Sequence, residues 1–164
     1  MIRSITVVLV IVGLGCNGPN KNNGESLIVN EVLPEKIKLK DLNGRSVDLG
    51  IYKGKTIFIN FWATWCNPCL REMPSIHKAQ HLLRNKDVVF LLASSESIEE
   101  IEAFKVNNDY DFNYVSVENS EALNIQALPT TFIFNPKGKL VFMENGFRKW
   151  DDENNIEMIL KMAK

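Results

Sequence analysis

From residue 32 onward the chain breaks into short apolar runs with two different periods. Ile37 and Leu39, then Val47 and Leu49, alternate with polar neighbours, and Asn43-Gly44 lies between them; this predicts a β-hairpin. Thr56 to Trp62 is almost continuously apolar, as expected of a central strand covered on both faces. Leu70, Met73, Ile76 and Leu83 recur at helical spacing and predict a helix that starts near Cys66. Val88 to Ala93 reads as a second buried strand, so strand, helix and strand form a right-handed βαβ unit. Ser97-Ile98-Glu99-Glu100 is a capping box that opens a second helix, with Ile98, Ile101 and Phe104 on one face. Phe112 to Val117 predicts a third parallel strand, and Glu121 to Ile125 a short helical turn. Thr131–Phe134 and Leu140–Met143 flank Asn135-Pro136-Lys137-Gly138, a second hairpin, and Ile156, Ile159, Leu160 and Ala163 mark a closing amphipathic helix. The order predicts an α/β domain with a central mixed sheet and helices on both faces.

The first residues follow a different pattern. Arg3 precedes an almost wholly apolar run from Ser4 to Gly15, shorter than the ~20 residues needed to span a bilayer but of the length of a signal-peptide core. Cys16 follows directly. The arrangement resembles a bacterial lipoprotein signal, in which the cysteine becomes the lipidated first residue, although Gly13 stands where such signals usually carry Leu. An uncleaved anchor and an ordinary export signal, with Cys16 incidental, are the other readings. Residues 1–15 are thus expected to be a signal peptide and Cys16 the lipid attachment point. Residues 16–31, rich in Asn and Gly, read as a flexible tether with a reach of roughly 20 Å. The expected location is the cell envelope, with the domain at 32–164 held to a membrane on its extracytoplasmic side.

Composition narrows the function. The 164 residues are 45% hydrophobic and 24% charged, with a net charge of −1, so no bulk field attracts nucleic acid. Three cysteines are too few for a disulfide scaffold, and Cys66-Asn67-Pro68-Cys69 reads as redox or metal chemistry. The pair sits where a strand gives way to a helix. Unsatisfied N–H groups and the helix dipole there favour a thiolate at Cys66, pulling its pKa below the free value of ~8.5. That thiolate is the nucleophile of disulfide exchange, and Cys69, on a neighbouring helical face, can resolve the mixed disulfide. Pro68 costs no hydrogen bond in the first turn.

Three other readings compete. His77 and His81 could join the cysteines around zinc, but Cys69 and His77 are eight helical residues apart, about 12 Å, whereas all donors must lie ~2.0–2.3 Å from the ion. No metal is therefore expected, and the histidines read as a solvated helix face. A thiol peroxidase would place Thr three residues before its reactive cysteine, where this chain has Ala63. A tethered, non-catalytic binding module is the third.

At Asn60-Phe61-Trp62-Ala63-Thr64-Trp65-Cys66-Asn67-Pro68-Cys69, and again at Leu128-Pro129-Thr130-Thr131-Phe132, the sequence resembles the thioredoxin superfamily, and within it the exported, membrane-tethered TlpA/ResA type of redoxin domain. The resemblance covers roughly Val32 to Lys164. It implies the thioredoxin fold with an N-terminal β-hairpin extension, Cys66 as attacking and Cys69 as resolving cysteine, and a redox-active disulfide between them with no other cofactor. It also implies that Pro129 is a cis-proline facing the pair, in a substrate groove made by Trp65, Pro68, Leu128, Pro129 and Thr130. Asn60 stands where cytoplasmic thioredoxins usually carry a buried Asp that takes the proton of the second cysteine. Glu72, one helical turn beyond Cys69, is the replacement the exported branch implies. Trp62 reads as core, and Pro74 as a kink in the active-site helix. The expected partners are protein dithiols or disulfides, the cysteines of apocytochrome c during cytochrome c maturation, and a membrane electron donor. Reduction is favoured over oxidation, because an oxidant of the DsbA type carries a helical insertion for which there is little room between Ala93 and Phe112.

Overall fold

The computed structural model describes residues 33–164. The expected signal segment 1–15, the expected tether 16–31 and Cys16 lie outside the described residues. Among the described residues, no helix is long and apolar enough to cross a membrane.

The strands are β1 (Leu39–Lys40), β2 (Ser46–Val47), β3 (Thr56–Trp62), β4 (Val88–Ser94), β5 (Asn113–Val117), β6 (Thr130–Phe134) and β7 (Leu140–Asn145). They form one sheet in the order β2-β1-β5-β4-β3-β6-β7. β3, β4 and β5 run parallel, and the remaining pairings are antiparallel, so the sheet is mixed as predicted. The helices are α1 (Asn67–Leu83), α2 (Ile98–Val106) and α3 (Glu153–Met162).

Both hairpins form where their turn residues demand. Asp41 accepts from the N–H groups of Asn43 and Arg45 while Gly44 takes φ 77°, a conformation that favours glycine. Asn135 does the same for Lys137 and Lys139, with Gly138 at φ 77°. The first hairpin is shorter than the alternation suggests. Leu49 belongs to a 3-10 turn, Leu49–Tyr52, because the Asp48 side chain caps it by accepting from the Gly50 N–H. The hairpin attaches to the sheet by pairing β1 with β5, Leu39 opposite Val117.

β3 is buried along its whole length and divides two cores. Phe58 and Trp62 pack with Met73, Ile76 and Leu83 of α1, Ile101 of α2 and Ile159 of α3. Ile57, Ile59 and Phe61 pack instead with Leu91, Phe132, Phe134 and Val115, closed over by Ile37, Leu49 and Leu123. The helices were predicted on both faces; the buried residues of all three belong to the first core. The reason is topological. The steps from β3 to β4 and from β4 to β5 go the same way across the sheet, and right-handed crossovers then place α1 and α2 on one side. Among the described residues, short 3-10 turns, not α-helices, cover the other. The capping box forms as predicted: Ser97 Oγ accepts from the Glu100 N–H, and Glu100 Oε2 accepts from the Ser97 N–H. α1 runs unbroken through Pro74.

The burial of α1 yields a contrast within one helix. Ile76→Ala, at a fully buried position, should cost about 2–5 kcal/mol in chemical denaturation, and Leu82→Ala, at a position 56% exposed, within about 0.5 kcal/mol of nothing. Equal costs would contradict the two-core packing.

Candidate active site

β3 ends at Trp62, three residues turn, and α1 begins with Cys66 as its N-cap. The Cys66 sulfur accepts a hydrogen bond from the Cys69 N–H at 3.3 Å, the place an N-cap oxygen normally fills. The two sulfurs are bonded to each other. Both cysteines are almost fully buried, while Trp65 beside them is 72% exposed, so Trp65 forms the rim past which a second molecule would reach the pair. Pro68 sits half-buried in the first turn. The approach to α1 is braced from β4. Glu96 accepts from the Thr64 N–H at 2.8 Å and the Thr64 hydroxyl at 2.6 Å, and from the Ser94 hydroxyl at 2.9 Å. Sequence reasoning missed Glu96, which lies 32 residues from Thr64 and carries no local signal.

Glu72 lies one turn beyond Cys69 on the same buried face of α1 and is fully inaccessible. Three donors hold its carboxyl: Trp150 Nε1 at 2.6 Å and Asn60 Nδ2 at 3.0 Å on Oε1, and the Arg148 N–H at 3.2 Å on Oε2. Burial pushes its pKa up to about 7, the Glu144 charge adds to this, and the three donors pull the other way. Asn60 donates also to Thr131 Oγ1 at 3.0 Å, which fixes its amide. Trp150 is itself core, edge-on to Phe58 at 4.7 Å between ring centres, and its backbone N–H donates to the Ser75 hydroxyl. Neither Trp150 nor Arg148 was visible as a site residue from sequence.

The Leu128–Pro129 peptide bond is cis. The Pro129 carbonyl accepts from the Gly146 N–H at 2.7 Å. Trp65 and Leu128 share a groove of about 260 Å³ with Phe61, Trp62, Ile125 and Ala127. Pro68, Pro129 and Thr130 do not line it. The Thr130 side chain is fully buried, with the hydroxyl 2.6 Å from the Ala127 carbonyl, at the first residue of β6. Trp62 is core, as expected.

The potential metal ligands that converge among the described residues are His77, His81 and Asp111, with neither cysteine. The four-donor set weighed from sequence is therefore not assembled. The histidines are also not simply a solvated face, because His77 packs edge-on to Tyr110 and Phe112 and contacts Asp111 at 2.7 Å.

The comparisons agree with this geometry. The redoxin family matches residues 28–160. Thiol-disulfide oxidoreductase ResA of Geobacillus thermodenitrificans is 30% identical, over 97% of this chain and 95% of that protein. ResA of Bacillus subtilis is 33% identical over 66% of this chain and 63% of that protein, so the match spans just under two thirds of its length. The crystal structure of the exposed lipoprotein thioredoxin of Streptococcus pneumoniae superposes with a TM-score of 0.60 at 26% identity, covering 76% of this chain and 96% of that one. The chain belongs to the redoxin family, as a TlpA/ResA-like thiol–disulfide oxidoreductase of the thioredoxin superfamily.

Proposed function

We propose that this protein reduces disulfides of protein substrates on the extracytoplasmic side of a membrane, the cysteines of apocytochrome c among them. The observation that carries the reading is the Cys66 sulfur at the N-cap of α1, where the Cys69 N–H points at it. In the reduced protein that donor and the helix dipole favour the Cys66 thiolate. The thiolate attacks a substrate disulfide, and one substrate sulfur leaves as a thiolate that takes a proton from water. Cys69, losing its proton to the Glu72 carboxylate, then attacks the Cys66 sulfur of the mixed disulfide. The second substrate sulfur leaves as a thiolate that takes the proton from the Glu72 carboxyl, and the Cys66–Cys69 disulfide forms; an electron donor at the membrane supplies two electrons to restore the dithiol.

Support for the proton transfer is electrostatic. A carboxyl with a pKa near 7 takes and returns a proton at neutral pH more readily than an ordinary glutamate. Exposed Trp65 and the groove it shares with Leu128 suit an extended protein segment as substrate. Support for the location comes from the segment ending at Cys16 and from the likeness to an exposed lipoprotein thioredoxin.

An insulin-reduction assay with dithiothreitol as donor tests the activity. Wild-type protein should turn over, and Cys66→Ser should lose at least ~100-fold. Absence of turnover in the wild type would favour the non-catalytic binding module. Cys69→Ser should hold substrates covalently at Cys66, and peptides carrying Cys-x-x-Cys-His, the haem-attachment motif, should be among them if apocytochrome c is a substrate.

Glu72→Gln should remove the limb of the pH–rate profile near 7; an unchanged profile would rule out the proton transfer.

The raised pKa also sets a stability window. Between the ordinary value of 4.5 and about 7, the unfolded chain releases this proton while the folded chain keeps it. Stability therefore falls as pH rises through that window, by about 3 kcal/mol in all, and levels off above it. Trp150→Phe removes a donor to the carboxylate, so its pKa should rise further and the falling stretch should extend to higher pH in denaturation curves.

A further inference from the structure

We infer that His77, His81 and Asp111 form a surface site for a divalent cation of borderline softness, Zn²⁺ being the best fit. His77 and His81 lie one turn apart on α1, and Asp111 lies on the connection between α2 and β5. Their donor atoms converge: His77 Nε2 to Asp111 Oδ1 is 2.7 Å, His77 Nε2 to His81 Nε2 is 3.1 Å, and His81 Nε2 to Asp111 Oδ1 is 3.4 Å. A point about 2.0–2.1 Å from all three atoms exists about 1 Å out of their plane, which meets the zinc–nitrogen and zinc–oxygen distances without moving any of them.

The contacts are awkward without a cation. Two ring nitrogens 3.1 Å apart repel if both carry hydrogen, and equally if neither does. Only a pairing in which one of the two nitrogens carries the hydrogen relieves this, while a cation satisfies three lone pairs at once. The ligands are also held in place by the fold. His77 is wedged edge-on against Tyr110 and Phe112, the residues on either side of Asp111, and Phe112 is buried. Gln80 Nε2 donates to Asp111 Oδ1 at 3.1 Å and orients the carboxylate. Two imidazoles and one carboxylate suit zinc and its neighbours in the first transition row rather than magnesium or calcium. Asp111 is 65% exposed, so water can complete the coordination. The cation would tie α1 to the α2–β5 connection. This set does not include the cysteine pair, so its effect should fall on stability.

The test uses the full chain with its affinity tag removed, the Cys66–Cys69 disulfide intact and Cys16 alkylated, so that no thiol competes. ZnCl2 is titrated by calorimetry, and the thermal midpoint is read with and without zinc. The wild type should bind one zinc per chain and melt at a higher temperature with it. His81→Ala and Asp111→Asn, both at exposed positions, should each weaken binding at least ~10-fold and lose the thermal shift, with insulin reduction in zinc-free buffer unchanged. Wild-type protein that takes up no zinc at millimolar concentration overturns the inference, as does zinc that binds both variants as tightly as the wild type.

Discussion

A carboxyl group in an apolar core is tolerated only if its oxygens are hydrogen-bonded, and much of this domain is arranged around meeting that condition for Glu72. Its three donors come from β3, from the segment between β7 and α3, and from the indole of Trp150. Each donor is in turn held by something else. Asn60 is fixed by Thr131 on the neighbouring strand, and Trp150 by Phe58 and by Ser75 on α1 itself. The segment leading into α3 is therefore docked to the active-site helix partly by polar contacts that converge on a catalytic candidate. Loss of any one donor leaves a buried acceptor underfilled, so the geometry around the cysteine pair and the stability of the C-terminal part of the domain are coupled.

Local pattern made most of the fold legible. Asn43-Gly44 and Asn135-Pro136-Lys137-Gly138 announced both hairpins, Ser97 with Glu100 announced α2, and the continuous apolar run of Thr56 to Trp62 announced the central strand. Each of these signals acts within a few residues. The misreadings share the opposite property. Leu49 left the strand because one side chain two residues away could cap a turn, which alternation cannot show. The distribution of helices over the two faces depended on strand order, which periodicity does not contain.

The site divides in the same way. The cysteine spacing, and the one-turn offset of Glu72 from Cys69, are helical arithmetic and could be read directly. Trp150, the Arg148 N–H, and Glu96 beneath Thr64 are brought in across 78, 76 and 32 residues, and no residue type marks them. His77 and His81 were read as solvent-facing because Asp111 is distant in sequence, although the aromatic residues on either side of it are what seat His77.

The departure at Asn60 follows from the same constraint. Its amide nitrogen stands 3.0 Å from Glu72 Oε1. An aspartate in its place would put two carboxylates at that distance in a buried site, where they cannot both ionise and would share one proton, with one pKa driven far up. Asparagine turns the contact from repulsive to attractive: it donates where aspartate could only accept, and it pulls the Glu72 pKa down against the pull of burial. The site can therefore hold one acidic proton acceptor, on the helix or on the strand, but not both in their ionised forms. Placing it on α1 puts the acceptor on the same rigid element as Cys69, so the distance between thiol and carboxyl is set by helix geometry and not by the packing of α1 against the sheet.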